Sequence, residues 1–280
     1  MNQHHLSRRS ILSTAAGLAG AAALSAPASA RLTMPTGVVL MHGKSGDPKE
    51  PSSNISSLAS SLRSIGCRVV EPEMPWSKRR YMSVPYELSQ TEIAAHVAQL
   101  RSSGSAKVIV GGISLGANGA LCYAARTGGV DGLMLFSLGQ WPEYMTVHRK
   151  EFVEAAARAQ EMIRAGQGDQ MANWYDTNSG RVFTSGATAK VYFSYHDRSG
   201  PVAVTPNFRQ LDDKLPLLAV MARSDQPDAD RVQSLFRARV RPATSQFVML
   251  EQGANHFNTP DMARSTATQW LQRLSETWKA

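Results

Sequence analysis

Six short apolar runs punctuate the chain: Gly37-Val38-Val39-Leu40-Met41, Cys67 to Val70, Lys107 to Val110, Gly132 to Phe136, Pro216 to Met221 and Gln246 to Leu250. Each is the length of a strand and mostly apolar, the pattern of a strand buried on both faces. Helix-patterned stretches lie between several of them, at Ile55 to Ile65, Glu87 to Ser102 and Ala117 to Arg126. Strands alternating with helices predict an α/β fold, a mostly parallel sheet with helices on both faces. With 280 residues, 42% hydrophobic and 19% charged, the chain can bury one large core, and one domain is expected over residues 31–280.

The segment from Trp141 to Leu211 breaks the rhythm. It holds a helix-like run, Glu151 to Ala165, followed by an aromatic and polar stretch with Trp174, Tyr175, Phe183, Tyr192, Phe193 and Tyr195. Lying between two strand signals, it is expected to form a cap inserted over the edge of the sheet. Its aromatics have two readings: they line a pocket beneath the cap, suiting an apolar acyl or aryl group, or they bury the insertion's own small core.

Residues 1–30 read as a Tat-type export signal. Arg8-Arg9 precede a weakly apolar Ala/Gly/Leu stretch that ends in Ala28-Ser29-Ala30. The stretch falls short of the roughly 20 strongly apolar residues of a membrane span, so the mature chain is expected to start at Arg31, in the periplasm or outside the cell. The formal charge of +8 becomes +6 without the signal, because Arg8 and Arg9 leave with it. Its one tight cluster, Lys78-Arg79-Arg80, is too isolated for a nucleic-acid surface and reads as a solvated loop or a rim attracting an anionic substrate. Cys67 and Cys122 sit among apolar neighbours and read as buried free thiols. With no histidine near them they make a poor zinc site, and neither metal nor cofactor is expected.

Val108 to Ala120 carries the chemistry. Gly112-Ile113-Ser114-Leu115-Gly116 fits G-x-S-x-G directly after a strand and before a helix. Gly112 and Gly116 allow the tight turn in which backbone meets backbone, and the turn lifts the Ser114 hydroxyl out of the sheet. A serine hydroxyl is a weak nucleophile until a base takes its proton, and the base needs a carboxylate to fix its tautomer. Of the histidines beyond Ser114, His148 and His196 fall in the insertion, whereas His256 follows the last strand in Gly253-Ala254-Asn255-His256-Phe257. Asp225 comes first after the strand ending at Met221, on the side where open parallel sheets bind ligands. Asp228 and Asp230 follow closely and are alternatives.

A tetrahedral oxyanion needs two N–H donors. Leu115 supplies one, and Lys44, in His42-Gly43-Lys44-Ser45-Gly46 after the first strand, is placed to supply the other. Gly43-Lys44-Ser45 imitates the end of a P-loop. The imitation fails on spacing, since Gly37 lies one residue too far back and an apolar strand intervenes.

Taken together, His42-Gly43 after a strand, the Gly112 to Gly116 elbow, Asp225 and then His256, in the order Ser, Asp, His, resemble the α/β-hydrolase superfamily. The resemblance covers nearly the whole chain after residue 30, although the strands that usually precede the His42 loop are largely missing. It implies a serine hydrolase that works through an acyl-enzyme without metal, on a small-molecule carboxylic ester. The same parts serve thioesters, amides or short peptides, and a protein of another class, a binding protein on the same fold, is the remaining alternative.

Overall fold

The computed structural model describes residues 31–50, 54–178 and 180–278; the expected export signal lies outside them. In chain order the elements are β1 (Thr36–Met41), α1 (Ser56–Ser64), β2 (Arg68–Val70), α2 (Tyr86–Ser102), β3 (Lys107–Ile113), α3 (Leu115–Arg126) and β4 (Gly132–Phe136). Then come α4 (Pro142–His148), α5 (Lys150–Arg164), β5 (Met171–Asn178), β6 (Arg181–Thr188), α6 (Ala189–His196) and α7 (Val204–Gln210). The chain continues with β7 (Leu217–Ala222), a 3-10 turn at Arg223–Asp225, α8 (Asp228–Arg239), β8 (Gln246–Leu250), α9 (Thr259–Met262) and α10 (Arg264–Thr277).

The six apolar runs form one parallel sheet in the order β2-β1-β3-β4-β7-β8. Strands β1, β3, β4 and β7 are buried on both faces. One face carries Val39, Met41, Val110 and Leu135 against α2, α3 and the insertion; the other carries Val38, Leu40, Ile109 and Phe136 against α1 and α10. This is the period-2 alternation of a strand read from both sides. Cys122 belongs to the first core and Cys67 to the second, so the sheet separates them. Both are free and buried, and burial pushes both thiols up to about 12.

The chain leaves β1 toward β2 and returns through β3 to the opposite side of β1, which opens a crevice beyond the carboxyl ends of β1 and β3. Because every strand runs the same way, β1, β3, β4, β7 and β8 all release their following loops at that edge. Those loops carry His42, Ser114, Ser137, Asp225 and His256, respectively.

Between β4 and β7, α4 to α7 surround an antiparallel hairpin, β5–β6, that the sequence pattern did not announce. Trp174, Tyr192 and Tyr195 are fully buried in the insertion and join the first core, with Trp174 stacked on Tyr192 at 4.7 Å. Tyr175 and Phe183 are exposed. Among the described residues, no helix is long and apolar enough to cross a membrane.

Candidate active site

Strand β3 extends three residues past the expected Val110, through Gly111 and Gly112 to Ile113, and α3 begins at once with Leu115. Ser114 alone makes the turn, at φ 55° and ψ −123°, a region that side-chain-bearing residues rarely occupy. Its N–H is held by the Phe136 and Ser137 carbonyls at 3.0 and 3.1 Å. The glycines are required by contact: a Cβ on Gly112 would stand 2.6 Å from the Met41 carbonyl oxygen, and one on Gly116 2.5 Å from that of His42. The elbow is therefore wedged against the end of β1.

Asp225 and His256 meet beside it. His256 Nδ1 lies 3.3 Å from Asp225 Oδ1, and the Ser137 hydroxyl donates to Asp225 Oδ2 at 2.6 Å. Burial pushes the Asp225 carboxyl up, but the hydrogen bond and charge of His256, with the Ser137 hydroxyl, outweigh it and hold the group below the usual carboxylate range. With Nδ1 donating to Asp225, the lone pair of His256 Nε2 is free for another proton. A Cβ on Gly139 would fall 2.3 Å from Ser114 Oγ and 3.2 Å from His256 Nε2, so hydroxyl and imidazole converge on one small space. The His256 loop is stiffened by Asn255, whose side-chain oxygen accepts from the N–H groups of Phe257 at 2.9 Å and Asn258 at 3.2 Å.

The alternative carboxylates are engaged elsewhere: Asp228 pairs with Arg231 at 2.5 Å, and Asp230 accepts from Gln226 at 3.1 Å. His148 ends α4, and His196 is buried in the insertion. The Lys78-Arg79-Arg80 cluster is neutralised locally: Arg79 by Glu73 and Asp47, Arg80 by Glu92, and Lys78, at 3.6 Å, by Glu50.

The His42 loop is fixed from within. His42 is buried, its Nδ1 2.7 Å from the Gly43 carbonyl oxygen, while Nε2 accepts the Met74 N–H at 3.1 Å. This leaves a neutral imidazole with Nδ1 as donor, and burial holds its pKa below the ordinary value. The Gly43 carbonyl also accepts from the Gly46 N–H at 3.0 Å. In a trans peptide the carbonyl and the following N–H point in opposite directions. Anchoring the Gly43 carbonyl on both sides thus sets the direction of the Lys44 N–H, which makes no backbone hydrogen bond among the described residues. Leu115 opens α3, so its N–H lies outside the helical ladder.

Ser114 and His256 stand between two clefts. One, of about 410 Å³, is lined by Lys44, Leu115, Leu138, Gln140, Asn178 and Asp228, among others. The other, of about 300 Å³, opens toward Ser45, Asp47, Glu50, Asn54 and Phe257. Neither is lined by Trp174, Tyr192 or Tyr195, which decides between the two readings of the insertion's aromatics in favour of a core and against an apolar pocket. Their rings satisfy the insertion's core, and the hairpin offers the first cleft Thr177, Asn178 and Gly180 instead.

Sequence reasoning missed Ser137, Gly139 and Asn118. The Asn118 side chain donates to the Gln140 and Val202 carbonyls at 2.7 and 2.9 Å, which holds the Gly139 segment against Ser114. Ser137 had one usable signal, its place directly after β4 at the same edge as the other site residues. Among the described residues no group of three or more His, Cys, Asp or Glu side chains could hold a metal ion.

No protein-family model and no curated protein matches the sequence. Solved structures do match. A thermostable carboxyl esterase from Bacillus coagulans, in complex with glycerol, superposes with a TM-score of 0.61 at 11% identity over 88% of this chain and 92% of its own. A structure described under two metagenome-derived lipolytic enzymes gives 0.60 at 13% identity over 88% and 98%. A siderophore hydrolase from Aspergillus fumigatus gives 0.55 at 15% identity over 86% and 92%. With its parallel six-stranded sheet, flanking helices and strand-edge loops, the chain has the α/β-hydrolase fold.

Proposed function

We propose that this protein is an exported serine hydrolase that cleaves carboxylic esters through an acyl-enzyme. The observation that carries the reading is the convergence of a strained Ser114 and an Asp225-paired His256 on the space left by Gly139. His256 Nε2 takes the Ser114 hydroxyl proton as Oγ bonds to the ester carbonyl carbon. The N–H groups of Lys44 and Leu115 receive the resulting oxyanion, and in such sites the loss of one donor costs about 10²–10³ in kcat. The tetrahedral species collapses as His256 returns the proton to the leaving alkoxide, and the alcohol departs. Water then repeats the sequence on the acyl-serine, releasing the acid and restoring Ser114. Asp225 holds the imidazole in the Nδ1–H tautomer and balances its charge in each half.

The lining of the larger cleft supports a substrate class. Gln140, Thr177, Asn178, Ser224, Gln226 and Asp228 offer amides, hydroxyls and a carboxylate, with Leu115 and Leu138 the main apolar surface. Esters of short or hydroxylated groups suit such a wall better than long alkyl chains. The export part of the reading rests on Arg8-Arg9 and the Ala28-Ser29-Ala30 ending.

The test is labelling of the purified protein with a fluorophosphonate and peptide mapping by mass spectrometry. One adduct on the peptide containing Ser114, lost in His256→Ala, is the expected result. A folded protein that takes no label and hydrolyses no activated ester would end the proposal in favour of a binding protein.

A further inference from the structure

The Lys44 side chain leads away from the site into a buried polar cluster. Its Nζ donates to Asp176 Oδ1 at 2.7 Å and to the Thr177 carbonyl at 3.1 Å. The two charged side chains are 5% and 0% exposed. Oδ1 also accepts the Thr177 N–H at 2.7 Å, the Tyr81 hydroxyl donates to Oδ2, and His196 Nε2 stands 3.8 Å from Oδ1. Asp176 belongs to β5, in the insertion, whereas Lys44 follows β1, and 132 positions separate them.

A buried ion pair is weak support for stability, since apolar residues of similar volume often serve as well. What it does supply is direction, because a short charge-assisted bond fixes both partners in place. Lys44 lines both clefts beside Ser114 although its side chain is almost wholly enclosed, so what it presents to them is chiefly main chain. The peptide before Lys44 is held by His42, and the side chain beyond it by Asp176.

We propose that Asp176 is a positioning residue for the oxyanion-binding loop, so that the β5–β6 hairpin sets the catalytic geometry as well as the wall of the cleft. Tyr81 and the Thr177 N–H hold the carboxylate, the carboxylate holds Lys44 Nζ, and the Lys44 N–H is thereby kept facing Ser114. The proposal rests on the serine-hydrolase reading given above.

The experiment uses the full mature chain and compares wild type, Asp176→Asn, Lys44→Met/Asp176→Asn and Tyr81→Phe. Each is assayed for hydrolysis of p-nitrophenyl acetate, inhibition by a trifluoromethyl ketone that adds Ser114 Oγ to its carbonyl, binding of the matching unreactive amide, and thermal midpoint. In Asp176→Asn, kcat/KM is expected to fall about tenfold, less than the ~10²–10³ that follows outright removal of a donor. The ketone inhibition constant should rise by the same factor, with amide binding held within about twofold. The single variant leaves a lone buried charge and loses stability; the double variant should regain the midpoint without regaining kcat/KM.

Should the double variant recover both together, or should Asp176→Asn keep wild-type kcat/KM, Asp176 only balances charge and the proposal is overturned. Tyr81→Phe removes one hydrogen bond and no charge, so it decides the matter where the other variants fail to fold. A few-fold parallel change in kcat/KM and ketone inhibition supports the proposal, and no change overturns it. A wild type inert to both the ester and a fluorophosphonate defeats the hydrolase reading itself, a result distinct from an active wild type with indifferent variants.

Discussion

Ser137 Oγ and Asp225 Oδ2 are joined by a 2.6 Å hydrogen bond on the side of the carboxylate away from His256, and Thr259 Oγ1 backs the serine at 3.2 Å. Asp225 is therefore gripped from two directions, by the His256 imidazole and by a buried hydroxyl at the end of β4. Ser137→Ala would leave Oδ2 short of a donor in a largely buried place, at a cost of about 1–3 kcal/mol. The expected result in urea denaturation is a midpoint lowered with an unchanged m-value. In the ester assay kcat/KM should fall several-fold, as Asp225 turns away from His256.

Gly139 is the narrowest point of the site. In Gly139→Ala the added methyl would sit 2.3 Å from Ser114 Oγ and 3.0 Å from His256 Cε1, so it must push the two apart. Fluorophosphonate labelling is expected to slow by about 100-fold or more, within the range that misplacing reacting groups by about 1 Å brings. Stopped labelling time courses read this directly, and a rate equal to wild type would show that Ser114 and His256 do not cooperate.

Ser114 pays for the placement of its hydroxyl with a left-handed backbone, φ 55°. Ser114→Ala and Ser114→Gly should both lose ester hydrolysis, but glycine relieves the strain that alanine keeps. The glycine variant is expected to be the more stable of the two by about 1 kcal/mol, the difference between ~1–3 kcal/mol of relieved strain and the larger chain entropy of glycine. Thermal midpoints of the pair, measured side by side, check it.

Acid sensitivity should come from the insertion. His196 is fully enclosed, stacked on Tyr192 at 4.1 Å, with Nδ1 on the Tyr192 carbonyl at 2.9 Å, and burial pushes it down to about 4 against the opposing pull of Asp176. The unfolded chain binds the His196 proton at its ordinary pKa near 6.5, above the folded one, so stability is full above that pH. It is lost as pH falls from about 6.5 to about 4, by roughly 3 kcal/mol for this group. Asp176 and Asp225, both held below the usual range, extend the loss to lower pH. Denaturation midpoints from pH 7 to 4 should decline, and His196→Gln should flatten the decline between pH 6.5 and 4.

Chain-length selectivity tests the polar cleft. Among p-nitrophenyl esters, acetate and butyrate are expected to exceed laurate in kcat/KM by tenfold or more on the order of what a mismatched pocket costs. A preference rising with chain length would show that Leu115 and Leu138 outweigh the polar side chains of the cleft and would overturn the proposed substrate class.

Local sequence determined the strands, the elbow and the order of the site. Apolar runs of strand length, alternating with helix-patterned stretches, are the pattern of strands buried on both faces, and Gly112, Ser114 and Gly116 have a physical reason that a single turn explains. His256 and Asp225 were legible because a parallel sheet delivers every post-strand loop to one edge, so position after a strand already implies proximity. The tertiary structure alone decided the rest. The β5–β6 hairpin carries mixed polar and aromatic residues with no clean alternation, since only Trp174, Asp176 and Ala187 on its inner face are buried. Whether its aromatics served a pocket or a core depended on what lay opposite them, and a sequence does not say what lies opposite. Asp176 reads locally as an ordinary polar residue of a strand, and only the fold buries it against Lys44, Tyr81 and His196. Backbone geometry and burial order were written along the chain; the pairing of charges across 132 positions was written only in the fold.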